Sequence, residues 1–225
     1  MKDQLTTAKT VLIIGLGGLG SPVAMYLAAA RVGHLVLVDF DQVDLSNLQR
    51  QIIHSNIGEY KVNSARNTVQ KINPNIKITI YNQHIDEVFL QTIINHIDVA
   101  VDCSDNFTTR FIINSICVRN NIPLVSGAAL RWSGQVAVFL PKNSPCYRCL
   151  YDDENEQAET CSEAGILAPL VGVVGSIQAI EVIKILLNIG KTLCGKLLLF
   201  DAYQNHWRSI KLPKDPDCPV CSSNR

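Results

Sequence analysis

The sequence predicts an α/β fold: a Rossmann-like, mostly parallel sheet with helices on both faces, extended by antiparallel strands. Three observations predict it. Apolar runs rich in Val, Ile and Leu alternate with segments at helical spacing, and a glycine loop joins the first run to the helix that follows. After residue 126, strand-like runs follow one another without obvious helices between neighbours.

The apolar runs are "TVLIIG", "HLVLVD", "IKITIYN", "IDVAVD" and "IPLVSG". Each is continuous rather than alternating, as expected of strands covered on both faces. Between them, "SARNTVQKIN" and "TTRFIINSICVRN" have helical spacing. "SGQVAVFL", then "KLLLFDAY" followed by "HWRSIKL", form the antiparallel extension, with a long helix near 170–188 packed across it. The segment "ILAPLVGVVGSIQAIEVIKILL" has nearly the length of a membrane span, but Gln178, Glu181 and Lys184 interrupt its second half at large insertion cost. It reads as a buried core or dimer-interface helix. The acidic stretch "YDDENEQAETCSEAG" (Tyr151 to Gly165) is polar and aperiodic, the pattern of an exposed loop.

With 225 residues, 47% of them hydrophobic, the chain can bury a full core and is most simply one domain. Lys plus Arg and Asp plus Glu are both 20, so no global field draws it to nucleic acid or anionic lipid. "MKDQLTTAKT" lacks the apolar core of a signal peptide, so a cytoplasmic protein is expected. Eight cysteines in such a setting point to metal binding or sulfur chemistry rather than disulfides.

Gly15, Gly17 and Gly20 make a G-x-G-x-x-G that follows a strand and opens a helix, the context in which the motif binds nucleotide phosphate. Asp39 ends the next strand, where a carboxylate can accept from ribose hydroxyls. A dinucleotide site needs little more, and an NAD-dependent oxidoreductase is one reading. A triphosphate needs cations. "SNLQRQ" places Asn47, Arg50 and Gln51 at i, i+3 and i+4, on one face of a short helix, and Lys61 opens a further helical stretch. Asp102 and Asp105 fall at or just beyond a strand end, where an aspartate can hold magnesium. Taken singly, Lys61 reads better as a solvated charge, and Asp105 can simply cap the helix beginning near Thr108; taken with the glycine loop, the cluster tips toward ATP.

Cys146 and Cys149 form one C-x-x-C, and Cys218 and Cys221 another. Two such pairs match a closed, structural four-thiolate zinc site better than a redox dithiol. Cys103 and Cys117 lie in apolar surroundings and read as core residues, Cys194 has no evident role, and Cys161 sits in the polar loop.

In this order "GLGGLGSP", "NLQRQ", "DCSDNFTTR", "SGAALRWSGQ", "CYRCL", "APLVGVVGS" and "CPVC" resemble the ThiF, MoeB and HesA adenylyltransferases, bacterial relatives of the ubiquitin-activating enzymes. The spacing from "CYRCL" to Cys161 and the closing "LLLFDAYQNHWRSIKL" look more like ThiF than MoeB. The resemblance implies ATP contact by Gly17, Gly18, Asp39, Asn47, Arg50, Gln51 and Lys61, with Asp105 placing magnesium. It also implies that the C-terminal glycine carboxylate of a small ubiquitin-fold sulfur carrier ending in Gly-Gly is adenylated, with Arg50, Lys61 and magnesium neutralising charge on the leaving pyrophosphate. By the same resemblance, Cys161 joins the carrier through an acyl disulfide, a persulfide on another protein supplies sulfur, and the enzyme is a homodimer.

About 1–126 would then be the nucleotide-binding half, and about 127–225 the carrier-binding and zinc half. ThiF-type enzymes serve thiamin thiazole biosynthesis and MoeB-type enzymes serve molybdopterin. Glu159 and Glu163 beside Cys161 disfavour its thiolate, and an ordinary loop cysteine is the plainer reading. Family members commonly carry an N-terminal arginine that reaches the partner subunit's ATP site, whereas here no arginine precedes Arg31. Either Lys2 or Lys9 replaces it or the site is weaker, which keeps a catalytically silent carrier-binding scaffold as a further reading.

Overall fold

The computed structural model describes residues 8–142, 144–151 and 165–222. Its sheet begins with strands β1 (Thr10–Ile14), β2 (His34–Val38), β3 (Lys77–Tyr81), β4 (Val99–Asp102) and β5 (Leu124–Leu130), all mutually parallel. Strands β6 (Ser133–Phe139), β7 (Lys196–Asp201) and β8 (His206–Lys211) continue it by antiparallel pairing, giving the order β3-β2-β1-β4-β5-β6-β7-β8. Strand β5 joins the two regimes. Its first three residues pair parallel with β4, while all seven pair antiparallel with β6. The predicted mostly parallel sheet with an antiparallel extension is the one found.

The helices are α1 (Gly20–Ala29), α2 (Lys61–Ile72), α3 (Glu87–Ile93), α4 (Phe107–Arg119) and α5 (Ala168–Leu187). They cover both faces. Leu12, Ile14, Val36 and Val38 pack under α3 and α4, while Val11, Ile13, Leu35 and Leu37 pack under α1, α2 and α5. That double burial is why the inner strands are apolar at every position rather than at alternate ones. Helix α3 has no counterpart in the sequence reading. It is only seven residues long, too short to show periodicity, and is started by Asp86, whose carboxylate accepts from the Phe89 N–H at 2.7 Å.

Among the described residues α5 is the one helix long and apolar enough to cross a membrane. Here it lies across the sheet and against α1, with Leu170, Val171, Val174, Gly175, Gln178, Ala179, Glu181 and Val182 buried. Gly175 makes the approach to α1 possible, since a Cβ there would stand 2.5 Å from the Leu19 carbonyl oxygen and from Pro22. The polar residues that interrupt the span are all occupied. Gln178 donates to the Asp102 carbonyl at 2.8 Å, and Glu181 accepts from Lys184 at 2.6 Å and from the Leu193 N–H at 2.8 Å. A stripe of satisfied polar groups suits a core helix.

Candidate functional site

A cavity of about 420 Å³ opens where β1, β2 and β4 end, the edge at which open α/β sheets take ligands. Its floor is the glycine loop. Gly15 has φ +88, and a Cβ on it would stand 2.7 Å from the Cys103 carbonyl oxygen. A Cβ on Gly20 would run into the Gly15 carbonyl. These two glycines therefore serve packing. Gly17 differs, because a Cβ there would meet only the Gln51 side chain, at 3.5 Å. Its bareness leaves room above the loop, beside the start of α1, where backbone N–H groups favour phosphate. Gly18 also lines the cavity, backed by Val171.

Asp39 stands at the end of β2 and is 8% exposed. Its Oδ2 accepts from the Leu16 N–H at 2.7 Å and its Oδ1 from the Asp41 N–H at 2.9 Å. Burial raises its pKa, against the opposing pull of Lys61 and of these two N–H groups. Buried His54 donates from Nε2 to the Leu16 carbonyl at 2.8 Å, so Leu16 is held at both its N–H and its C=O. Asp39 thus clamps the loop as well as presenting a carboxylate to the cavity.

Three of the sequence-predicted cationic and polar residues meet here. Lys61 is no solvated charge: it is 5% exposed, lines the cavity and donates to Asp41 Oδ2 at 2.7 Å. Arg50 lines the wall with Nη1 donating to the Ser46 carbonyl at 3.1 Å. Gln51 is 5% exposed, and its buried Oε1 finds no partner among the described residues, an orphaned acceptor facing a ligand-sized space. Asn47 departs from expectation. Over "SNLQRQ" the chain forms a 3-10 turn at Leu45–Asn47 and continues in further turns, in which the Asn47 carbonyl accepts from the Arg50 N–H at 3.1 Å and from the Gln51 N–H at 2.9 Å, so the predicted i, i+3, i+4 relation is present in the backbone. Asn47 is not among the cavity walls, and its amide donates to Ser46 Oγ at 3.4 Å.

The two aspartates after β4 separate clearly. Asp102 is 1% exposed and accepts from the Ser104 N–H (3.0 Å), Ser104 Oγ (2.6 Å) and Ser126 Oγ (2.9 Å). It is a saturated structural carboxylate. Asp105 is exposed at the cavity rim, and the cap of α4 is Asn106, which accepts from the Thr109 N–H at 2.9 Å. Relieved of capping, Asp105 is the carboxylate that can face a cation. Cys103 also lines the cavity, but burial holds its thiol well above the usual range, in keeping with an inert residue.

The sequence reading missed several cavity residues. Phe40 and His84 stack with centroids 3.5 Å apart and line it together with Gln83 and Ile85. They come from different strand ends, so no local pattern joins them. Arg110, 8% exposed, lines the opposite wall. Its signal was present, as a charge at helical spacing from Ile113, Asn114 and Cys117 on the buried face of α4. Lys9, a candidate to replace the family arginine, is tied to Asp98 at 2.7 Å, while Lys2 lies outside the described residues. So do Cys161, Glu159 and Glu163.

The second site is the cysteine cage. Cys146, Cys149, Cys218 and Cys221 bring four sulfurs within 4.8 Å of one another. Sγ–Sγ distances are 3.7 Å for Cys146–Cys218, 3.4 Å for Cys149–Cys221 and 4.0 Å for Cys146–Cys149. Burial pushes the Cys146 thiol up to about 11, and the sulfurs beside it add to the rise. Four thiols crowded at this spacing fit a tetrahedral zinc ion, which takes them as thiolates.

A family model described as the ThiF family matches residues 2–220. Molybdopterin-synthase adenylyltransferase of Escherichia coli K12 is 49% identical over 214 residues, covering 94% of this chain and 86% of that one. Adenylyltransferase and sulfurtransferase MOCS3 of Culex quinquefasciatus is 43% identical over 220 residues, 96% of this chain but 50% of its own length. Among solved structures, E. coli MccB with succinimide superimposes with a TM-score of 0.88 at 24% identity, covering 98% of this chain and 68% of that one. At that identity the likeness speaks for the fold.

Proposed function

The chain belongs to the ThiF family, and from that premise we propose that it is a MoeB-type enzyme. It would adenylate the C-terminal glycine carboxylate of a small ubiquitin-fold sulfur carrier of molybdopterin synthase. It is an adenylyltransferase, as its relatives are named. The expectation of a ThiF-like enzyme serving thiamin gives way to the MoeB alternative, because relatives at 47–49% identity carry the molybdopterin name. A ThiS-type carrier remains the second reading, on the shared family and the closing strand sequence.

The observation that carries the ATP reading is a buried lysine and an arginine set against the glycine loop beside an unpartnered Gln51 oxygen. A nicotinamide dinucleotide, whose pyrophosphate backbone amides can manage, does not call for them. In the reaction, a carboxylate oxygen of the carrier attacks the α-phosphorus, the bond from that phosphorus to the bridging oxygen breaks, and pyrophosphate leaves. Lys61 and Arg50 would stabilise negative charge gathering on the pyrophosphate, while the loop N–H groups and Asp39 would hold phosphate and ribose in line.

Asp105 would hold magnesium, which supplies further charge neutralisation. The cage would hold a structural zinc. Cys161, once it carries a persulfide from the sulfur donor, would attack the acyl adenylate through its outer sulfur and form an acyl disulfide as AMP leaves; a homodimer completes the proposal.

ATP–pyrophosphate exchange with purified carriers of both types tests the reading. Exchange that requires a Gly-Gly carrier of the molybdopterin type and is abolished by Arg50→Ala supports it. Exchange with the thiamin-type carrier alone favours the second reading, and saturable ATP and carrier binding without exchange favours a silent scaffold.

A further inference from the structure

On α4, Arg110, Asn114 and Cys117 follow one another at i, i+4 and i+7, and all are buried. At one end of this stripe Arg110 lines the nucleotide cavity. Its Nη2 donates to the Ser104 carbonyl at 2.8 Å, its Nη1 to the Tyr147 hydroxyl at 3.4 Å, and its Nε stands 4.0 Å from Asp102 Oδ2. One helical turn further, about 6 Å, Asn114 donates to Cys146 Sγ at 3.6 Å and accepts from the Tyr147 N–H at 2.8 Å. Tyr147 lies between the cage residues Cys146 and Cys149. The cage therefore holds Tyr147 and Asn114, and these border Arg110.

We infer that Arg110 is a positioning residue of the nucleotide cavity, through which the cysteine cage sets the turn at Ser104–Asp105. The guanidinium is held through Nη1 and Nη2, while its buried Nε has no hydrogen-bond partner among the described residues and only the charge of Asp102 beside it, so those two bonds and that charge set its placement. Ser104 is held from the other side by Asp102, which accepts from its N–H and its hydroxyl. With its carbonyl taken by Arg110, the direction in which the chain carries Asp105 out of β4 is set. Neither Tyr147 nor any cage cysteine lines the cavity, and the Tyr147 hydroxyl meets it through Arg110. The inference rests on the ATP reading of the cavity.

The test compares ATP dissociation constants in the zinc-replete full chain for the native protein, Tyr147→Phe, Arg110→Lys and the double variant, with magnesium and in magnesium-free buffer. Tyr147→Phe removes one hydroxyl and keeps the ring. With magnesium, we expect weakening of about threefold for Tyr147→Phe and about tenfold for Arg110→Lys, and only about tenfold for the double, because the hydroxyl acts through Arg110. Without magnesium each difference shrinks below about twofold, and zinc content stays native throughout.

Fold-changes that multiply in the double, or native ATP affinity in a folded, zinc-bound Tyr147→Phe, overturn the inference. Should Arg110→Lys fail to fold, stepwise zinc release from native protein with a thiol-selective mercurial decides. ATP affinity falling in step with release supports the relay, and affinity unchanged after full release overturns it. A native protein that binds no ATP overturns the nucleotide reading, and with it this inference, before any variant is compared.

Discussion

The two ends of the sheet are held by different means. Behind the half-buried edge strand β3 of the parallel end, the inner strands β2, β1 and β4 are buried along almost their whole length, under helices on both faces. At the antiparallel end, β8 is exposed at all six positions, and the tail beyond it reaches the molecule through Leu212 and the cysteine cage. Burial is cooperative and spread over many contacts, whereas a metal cage concentrates its stabilisation in four ligands. The parallel end should therefore tolerate change outside its core while the tail depends on single residues. The catalytic reading places the chemistry on the rigid end, at loops set by strand termini.

The most damaging way to probe this contrast is Cys218→Ser. We expect loss of bound zinc and a fall in stability on the order of 4 kcal/mol, read by metal analysis and thermal unfolding. Amide exchange should rise in the tail and β8 while β1 and β4 stay protected. Uniform loss of protection would mean that the two ends do not differ as described.

Next in size is Lys61→Met, which should lower the rate of ATP–pyrophosphate exchange by about 10²–10³-fold and leave the midpoint of denaturant unfolding within experimental error. A large loss of stability instead would make the Lys61–Asp41 pair a structural element rather than a catalytic one.

Smaller again, Asn106→Ala removes the cap of α4 and should cost about 1 kcal/mol. Because Asp105 is not the cap, Asp105→Asn should leave stability unchanged in a urea titration that also reads Asn106→Ala, while weakening magnesium-dependent ATP binding.

The smallest effect is in pH. Burial lowers the His54 pKa from its ordinary 6.5, so the neutral ring favours the folded state. Its contribution is whole above 6.5 and is lost as pH falls from there through the lowered folded value. His54→Gln should flatten that part of the stability–pH curve, and an unchanged slope would assign the acid limb to other groups.

The sequence by itself determined the alternation of strands and helices, the place where the sheet turns antiparallel, the glycine loop and the two C-x-x-C motifs. Each is written in short-range spacing: the period of apolar residues, the positions of glycines, the gap between cysteines. What only the tertiary structure decided was the state of each polar group. A lysine buried against Asp41 and a solvated lysine share the same local pattern. Asp102 and Asp105 are equivalent in sequence, yet Ser104 and Ser126 saturate one and leave the other at the rim. Asn47 lies outside the cavity walls although one turn joins it to Arg50 and Gln51, and Phe40 meets His84 across 44 positions. The physical reason is that burial, pairing and pKa arise from contacts between segments far apart in the chain, which no spacing within a segment records.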